Sequence, residues 1–67
     1  MDVRERLAVK IKRLRKARGW SQEALAGECG LDRTYISGIE RVVKNPTIIV
    51  VERIAKALSV QLGDLLD

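Results

Sequence analysis

The sequence predicts an all-α domain, and three observations carry that reading. Apolar residues recur at steps of three and four along most of the chain, which puts them on one face of successive helices. No stretch alternates polar and apolar residues over a useful length, so no strand is expected. Between the periodic stretches stand residues that start and stop helices: Ser21, Asp32 and Thr47 as N-caps, Gly19 and Gly30 as C-terminal stops. No repeat, linker or low-complexity segment interrupts the 67 residues, so a single domain over 1–67 is expected.

The first helix is predicted from about Val3 to Arg18, with Val3, Leu7, Ile11 and Leu14 on its apolar face. Arg4, Lys10, Lys12, Arg13 and Lys16 occupy its other faces, and bases near its end suit the helix dipole. The second helix opens at Ser21, carries Glu23 in its first turn, and ends near Cys29. Leu25 and Ala26 face inward, and Gly30 suits the left-handed cap. Asp32 caps a third short helix, Arg33 to about Glu40. Ile36 and Ile39 point inward, with Leu31 placed to staple the entrance; Arg33, Thr34, Ser37 and Gly38 point outward, with Tyr35 at the margin.

Arg41 to Asn45 forms a loop, and Pro46 ends any element before it. Thr47 caps a fourth helix running to about Ser59, with Ile48, Val51, Ile54, Ala55 and Leu58 as its apolar stripe. The β-branched run from Ile48 to Val51 invites a strand, but its Pro-Thr start and its continuation into Glu52-Arg53-Ile54-Ala55 favour helix. Val60 to Leu66 forms a last short helical turn with Leu62, Leu65 and Leu66 apolar.

Composition narrows the function classes. Apolar residues make up 46% of the chain and charged residues 33%, which is globular rather than disordered. One cysteine, Cys29, allows no internal disulfide and no multi-cysteine zinc site. The absence of histidine removes the commonest metal ligand and general base. No nucleophile–base pair and no phosphate-cradling glycine loop stand at recognisable spacing. The expectation is a non-enzyme with no catalytic residue, metal, cofactor or small-molecule substrate. No apolar run is long enough to span a bilayer and no signal segment opens the chain, so a cytoplasmic protein without membrane contact is expected.

Net charge is +4 and unevenly spread: residues 1–20 hold eight bases against two acids, the remainder five against seven. A basic face suits a polyanion, although a solvated surface helix has the same composition. A chain this short buries a modest core, which points to self-association.

The informative feature is a pair of short helices joined by a tight Cys29-Gly30-Leu31 turn, over about 22–40. A helix-turn-helix needs a small residue where the helices cross, here Ala26, and a glycine in the turn, here Gly30. It needs apolar anchors on the second helix, here Ile36 and Ile39. It also needs polar side chains at the second helix's start that reach base edges, here Arg33, Thr34 and Ser37.

Trp20-Ser21-Gln22-Glu23-Ala24-Leu25-Ala26, then Leu31 through Arg41, then Asn45-Pro46 and Ile54 through Val60, resemble the Cro/C1-type (XRE) helix-turn-helix family. The match runs from about Leu7 to Leu66, and the Leu31–Arg41 run most resembles restriction–modification controller proteins. The resemblance implies a compact five-helix, phage-repressor-like domain that regulates transcription. It would bind a palindromic operator in double-stranded DNA as a homodimer, with half-site centres about 34 Å apart. It would repress by blocking RNA polymerase or activate by touching it.

Site residues follow by position. Arg33 and Thr34 match base-contacting positions, and arginine pairs guanine in a bidentate hydrogen bond. Ser37 suits a base edge, a phosphate or plain solvent. Gly38 matches a position that often carries a base-reading side chain; here it offers none. Ser21 and Gln22 stand at a helix N-terminus that attracts phosphate. Tyr35 suits phosphate contact or packing on the preceding helix. Arg41 and Lys44 stand where they would clamp phosphates beyond the recognition helix, Lys44 the better placed. Arg15 and Glu40 match a structural ion pair linking the first and third helices. The family usually has glycine after the Glu-Arg step, whereas Val42-Val43 stand here.

Ile49, Val50, Leu62 and Leu66 exceed what the inward stripes need, which suggests a dimer interface or a fuller monomer core. The alternative to a DNA regulator is an antitoxin-like or other small protein-interaction module. Antitoxins usually wrap their toxin with an extra segment, and a chain ending at Asp67 is expected to lack one.

Overall fold

The computed structural model describes residues 2–67. Five helices follow one another, α1 (Val3–Ala17), α2 (Gln22–Cys29), α3 (Arg33–Glu40), α4 (Ile48–Ala57) and α5 (Leu62–Leu66), and the described residues include no strand. α2 packs on α3 and α4, while α1 crosses α3 and α5.

Each helix start is fixed locally. Ser21 Oγ accepts the Ala24 N–H at 3.0 Å, Asp32 Oδ1 the Thr34 N–H at 2.9 Å, and Thr47 Oγ1 the Val50 N–H at 3.2 Å. The start of α1 falls at Val3 as expected, with a cap that the sequence reading does not name. There Asp2 Oδ1 accepts from Arg4 and Glu5 while the Asp2 N–H donates to Glu5 Oε1 at 3.2 Å, a capping box that the three-residue spacing of Asp2 and Glu5 signals.

The first four helices also end alike. Gly19, Gly30, Val42 and Ser59 take left-handed backbone at φ 71°, 69°, 62° and 59°. The next residue's N–H then reaches five residues back: Trp20 to the Arg15 carbonyl, Leu31 to Ala26, Val43 to Gly38 and Val60 to Ala55. This is the Schellman closure, which satisfies carbonyls left over at a helix end.

The core gathers Leu7, Ile11, Leu25, Ile36, Ile39, Ile54 and Leu65, with Ala26, Cys29, Val51, Ala55 and Leu58 beside them. Burying each large aliphatic side chain contributes about 1.5–3 kcal/mol. Three expected inward positions differ. Val3 and Ile48 are 46% and 57% exposed, because each lies at a helix's first turn, where no further element covers it. Leu14 is half-buried, and the fully covered place one residue on belongs to Arg15. Gly38, expected to point outward, is buried.

Candidate nucleic-acid interface

The α2–α3 turn sets the angle between the two helices. Ala26, 2% exposed, lets α3 cross closely, and Gly30 turns the chain where an added side chain would begin 2.9 Å from Arg53 Nη2. Ile36 and Ile39, 0% and 2% exposed, anchor the inner face of α3.

A buried ion pair fixes the far end of α3. Arg15 Nε donates to Glu40 Oε2 at 2.8 Å and Nη2 donates to Oε1 at 3.0 Å, with side chains only 9% and 4% exposed. The third guanidinium nitrogen, Nη1, donates to the Trp20 carbonyl at 2.8 Å, which ties the start of α2 into the same knot. Burial pushes the Glu40 carboxyl up; the hydrogen bonds from Arg15 and Gln22 and the attraction of Arg15 and Lys12 outweigh it, so it titrates below the ordinary glutamate value. Such a forked pair holds orientation as well as distance.

Gln22 joins that knot, donating from Nε2 to Glu40 Oε1 at 3.1 Å. The sequence reading assigns Gln22 to phosphate; the structure gives one of its two amide N–H groups a structural partner, and the other has none among the described residues. It also places the start of α2 beside the end of α3.

The opposite end of α3 is bare. Arg33 and Thr34 are exposed. Asp32 Oδ1 receives the Thr34 hydroxyl at 2.7 Å as well as its N–H, and these bonds hold the Asp32 carboxyl below the usual aspartate range. Ser37 and Tyr35 are half-buried, with Tyr35 packed against the core. Ser21, Arg41 and Lys44 are exposed. An eight-residue helix is about 12 Å long, which matches the width of the DNA major groove.

The apolar positions split. Ile49 is 68% exposed, whereas Val50, Leu62 and Leu66 are half-buried and pack on the core. Leu66 also lines a groove of about 100 Å³ with Val3, Pro46 and Ile48. No helix among the described residues is long and apolar enough to cross a membrane.

Known proteins share this arrangement. A helix-turn-helix family model matches residues 11–65. The chain is 46% identical over 65 residues to a hypothetical transcription factor of Neisseria meningitidis serogroup B, covering 97% of this chain but only 61% of that relative's length. It is also 46% identical over 67 residues to control protein C.BamHI of Bacillus amyloliquefaciens, covering 98% of this chain and 83% of the relative. Its backbone matches controller protein C.Esp1396I, solved bound to a 19 base pair DNA duplex, with a TM-score of 0.87 at 42% identity over 97% of this chain and 87% of that one. With α3 crossed on α2, locked at one end and bare at the other, and with these relatives, the chain belongs to the Cro/C1-type helix-turn-helix family of DNA-binding transcriptional regulators.

Proposed function

We propose that the chain regulates transcription as a homodimer on a palindromic operator, with α3 in the major groove of each half-site. One observation carries this reading: the exposed Arg33-Thr34 end of α3 belongs to a helix whose other end is locked by the Arg15–Glu40 pair. A rigid helix presenting a forked donor reads guanine O6 and N7, a contact worth about 1–3 kcal/mol of discrimination. Thr34 and Ser37 add short contacts to base edges. Ser21, the free amide N–H of Gln22, Tyr35, Arg41 and Lys44 grip phosphates and fix register without reading sequence.

The second copy would cover Ile49 and Val50 with the Leu62 and Leu66 side of α5. A residue 68% exposed with a β-branched apolar side chain, as Ile49 is, gains from such cover. The chain's similarity to control proteins favours a restriction–modification controller, acting in the cytoplasm without catalysis. RNA polymerase would be blocked or contacted at the promoter.

Selection of bound sites from random duplex DNA, with sedimentation of the free protein, tests this. The expected result is an inverted repeat with half-site centres about 10 base pairs apart, bound by a dimer. Enrichment of no sequence would refute the reading. So would co-purification with one protein partner that masks α3 and abolishes DNA affinity in every preparation.

A further inference from the structure

Gly38 offers no side chain to a base edge, and its surroundings point to another role. It is buried on what the sequence makes the outward side of α3, and the stem of Lys44 lies over it. A methyl group on the Gly38 Cα would come within 2.5 Å of Lys44 Cγ, 3.5 Å of its Cβ and 3.6 Å of its Cδ. The loop is tied down at the same residue. The Gly38 carbonyl accepts the N–H of Val43 at 2.9 Å and that of Lys44 at 3.1 Å.

The collision would fall at Cγ, one bond beyond Cβ. Bending the far end of the side chain does not relieve it; rotation about the Cα–Cβ bond does, and that swings the ammonium away from its place. Among the described residues no carboxylate pairs with Lys44, so its charge is available to a phosphate.

We infer that Gly38 is a positioning residue: its missing side chain leaves a shelf on which the Lys44 stem lies, aiming the ammonium at a phosphate beside the recognition helix. Gly38 therefore sets the strength of the backbone grip and leaves base choice alone. This rests on the DNA-binding reading above.

The test measures affinity for a short mixed-sequence duplex across a salt series, for the wild-type protein, Gly38→Ala, Lys44→Ala and the double variant. Loss of one phosphate contact from each protomer of the dimer lowers the salt slope by about 1.8, so the affinity drop between about 50 and 200 mM salt shrinks by about 12-fold. Gly38→Ala and Lys44→Ala are each expected to show that change, and the double variant no more than Lys44→Ala alone. Site preference on selected duplexes stays that of the wild type.

Melting supplies a second readout. Alanine normally stabilises a helix interior over glycine, so Gly38→Ala in the Lys44→Ala background is expected to raise the melting temperature by about 2–8 °C. The gain is absent with Lys44 in place. Wild-type slope in a folded Gly38→Ala protein would overturn the inference, as would an added slope loss in the double variant. If the single variant does not fold, Lys44→Ala and the double variant decide by the same slopes. A wild-type protein without salt-dependent affinity would overturn the DNA-binding reading itself.

Discussion

The turn after α2 and the turn after α3 share one hydrogen-bond pattern but give its left-handed position to different residues, Gly30 in the first and Val42 in the second. A β-branched residue in that conformation costs about 1–2 kcal/mol, and glycine avoids the cost. Such strain persists only where the surroundings over-determine the backbone. After α3 they do: Glu40, two residues before Val42, is held by Arg15 and Gln22. After α2 no comparable knot is found among the described residues, and an added Cβ at Gly30 would meet only the flexible end of Arg53, so the backbone conformation is what demands glycine there. The turn inside the helix-turn-helix is thus specified by the residue at the turn. The turn beyond it is specified by an ion pair formed with a distant helix.

Removing the ion pair should have the largest effect. Arg15→Ala leaves a buried carboxylate without its partner, and a loss of about 3–5 kcal/mol in urea denaturation is expected. An unchanged midpoint would mean that Val42 is held by something else. Acid should expose the same dependence. Glu40 titrates below its unfolded value, so its contribution is complete above about pH 4.5 and fades as pH falls through the lower folded value. A stability–pH curve of Arg15→Ala should lack that component.

Exchanging the turn residues comes next. Gly30→Val should destabilise by about 1–2 kcal/mol from left-handed strain, the exposed end of the Arg53 side chain swinging aside at little cost. Val42→Gly should stabilise by about 0.5–1 kcal/mol, strain relief outweighing the lost side-chain contact and added chain entropy. If both changes shift the denaturation midpoint in the same direction, the contrast between the turns is wrong. Ser59→Gly, at the same position after α4, should give a smaller gain, because serine is not β-branched at carbon. Scanning calorimetry resolves it.

Local signals made much of the fold legible. The helix bounds follow from caps and stops that act within four residues, and Ile11, Leu25, Ile36 and Ile54 lie where helical spacing puts them. The Arg15–Glu40 pair was accessible only through family resemblance, since its members stand 25 residues apart. What stayed hidden depends on tertiary placement. Gly38 is buried because a loop folds back over it, which no periodicity announces. Ile48 keeps helical phase with Val51 and Ala55, yet α1 and α5 leave its end of α4 uncovered. Gln22 reads as a surface amide until Glu40 is seen beside it.

Base reading by the free end of α3 is tested most directly by binding Arg33→Ala to single-base variants of the selected operator. The expected result is loss of about 1–3 kcal/mol of discrimination at one base pair per half-site, with other preferences and the melting temperature unchanged. A folded Arg33→Ala protein with wild-type affinity and wild-type preference at every position would contradict it.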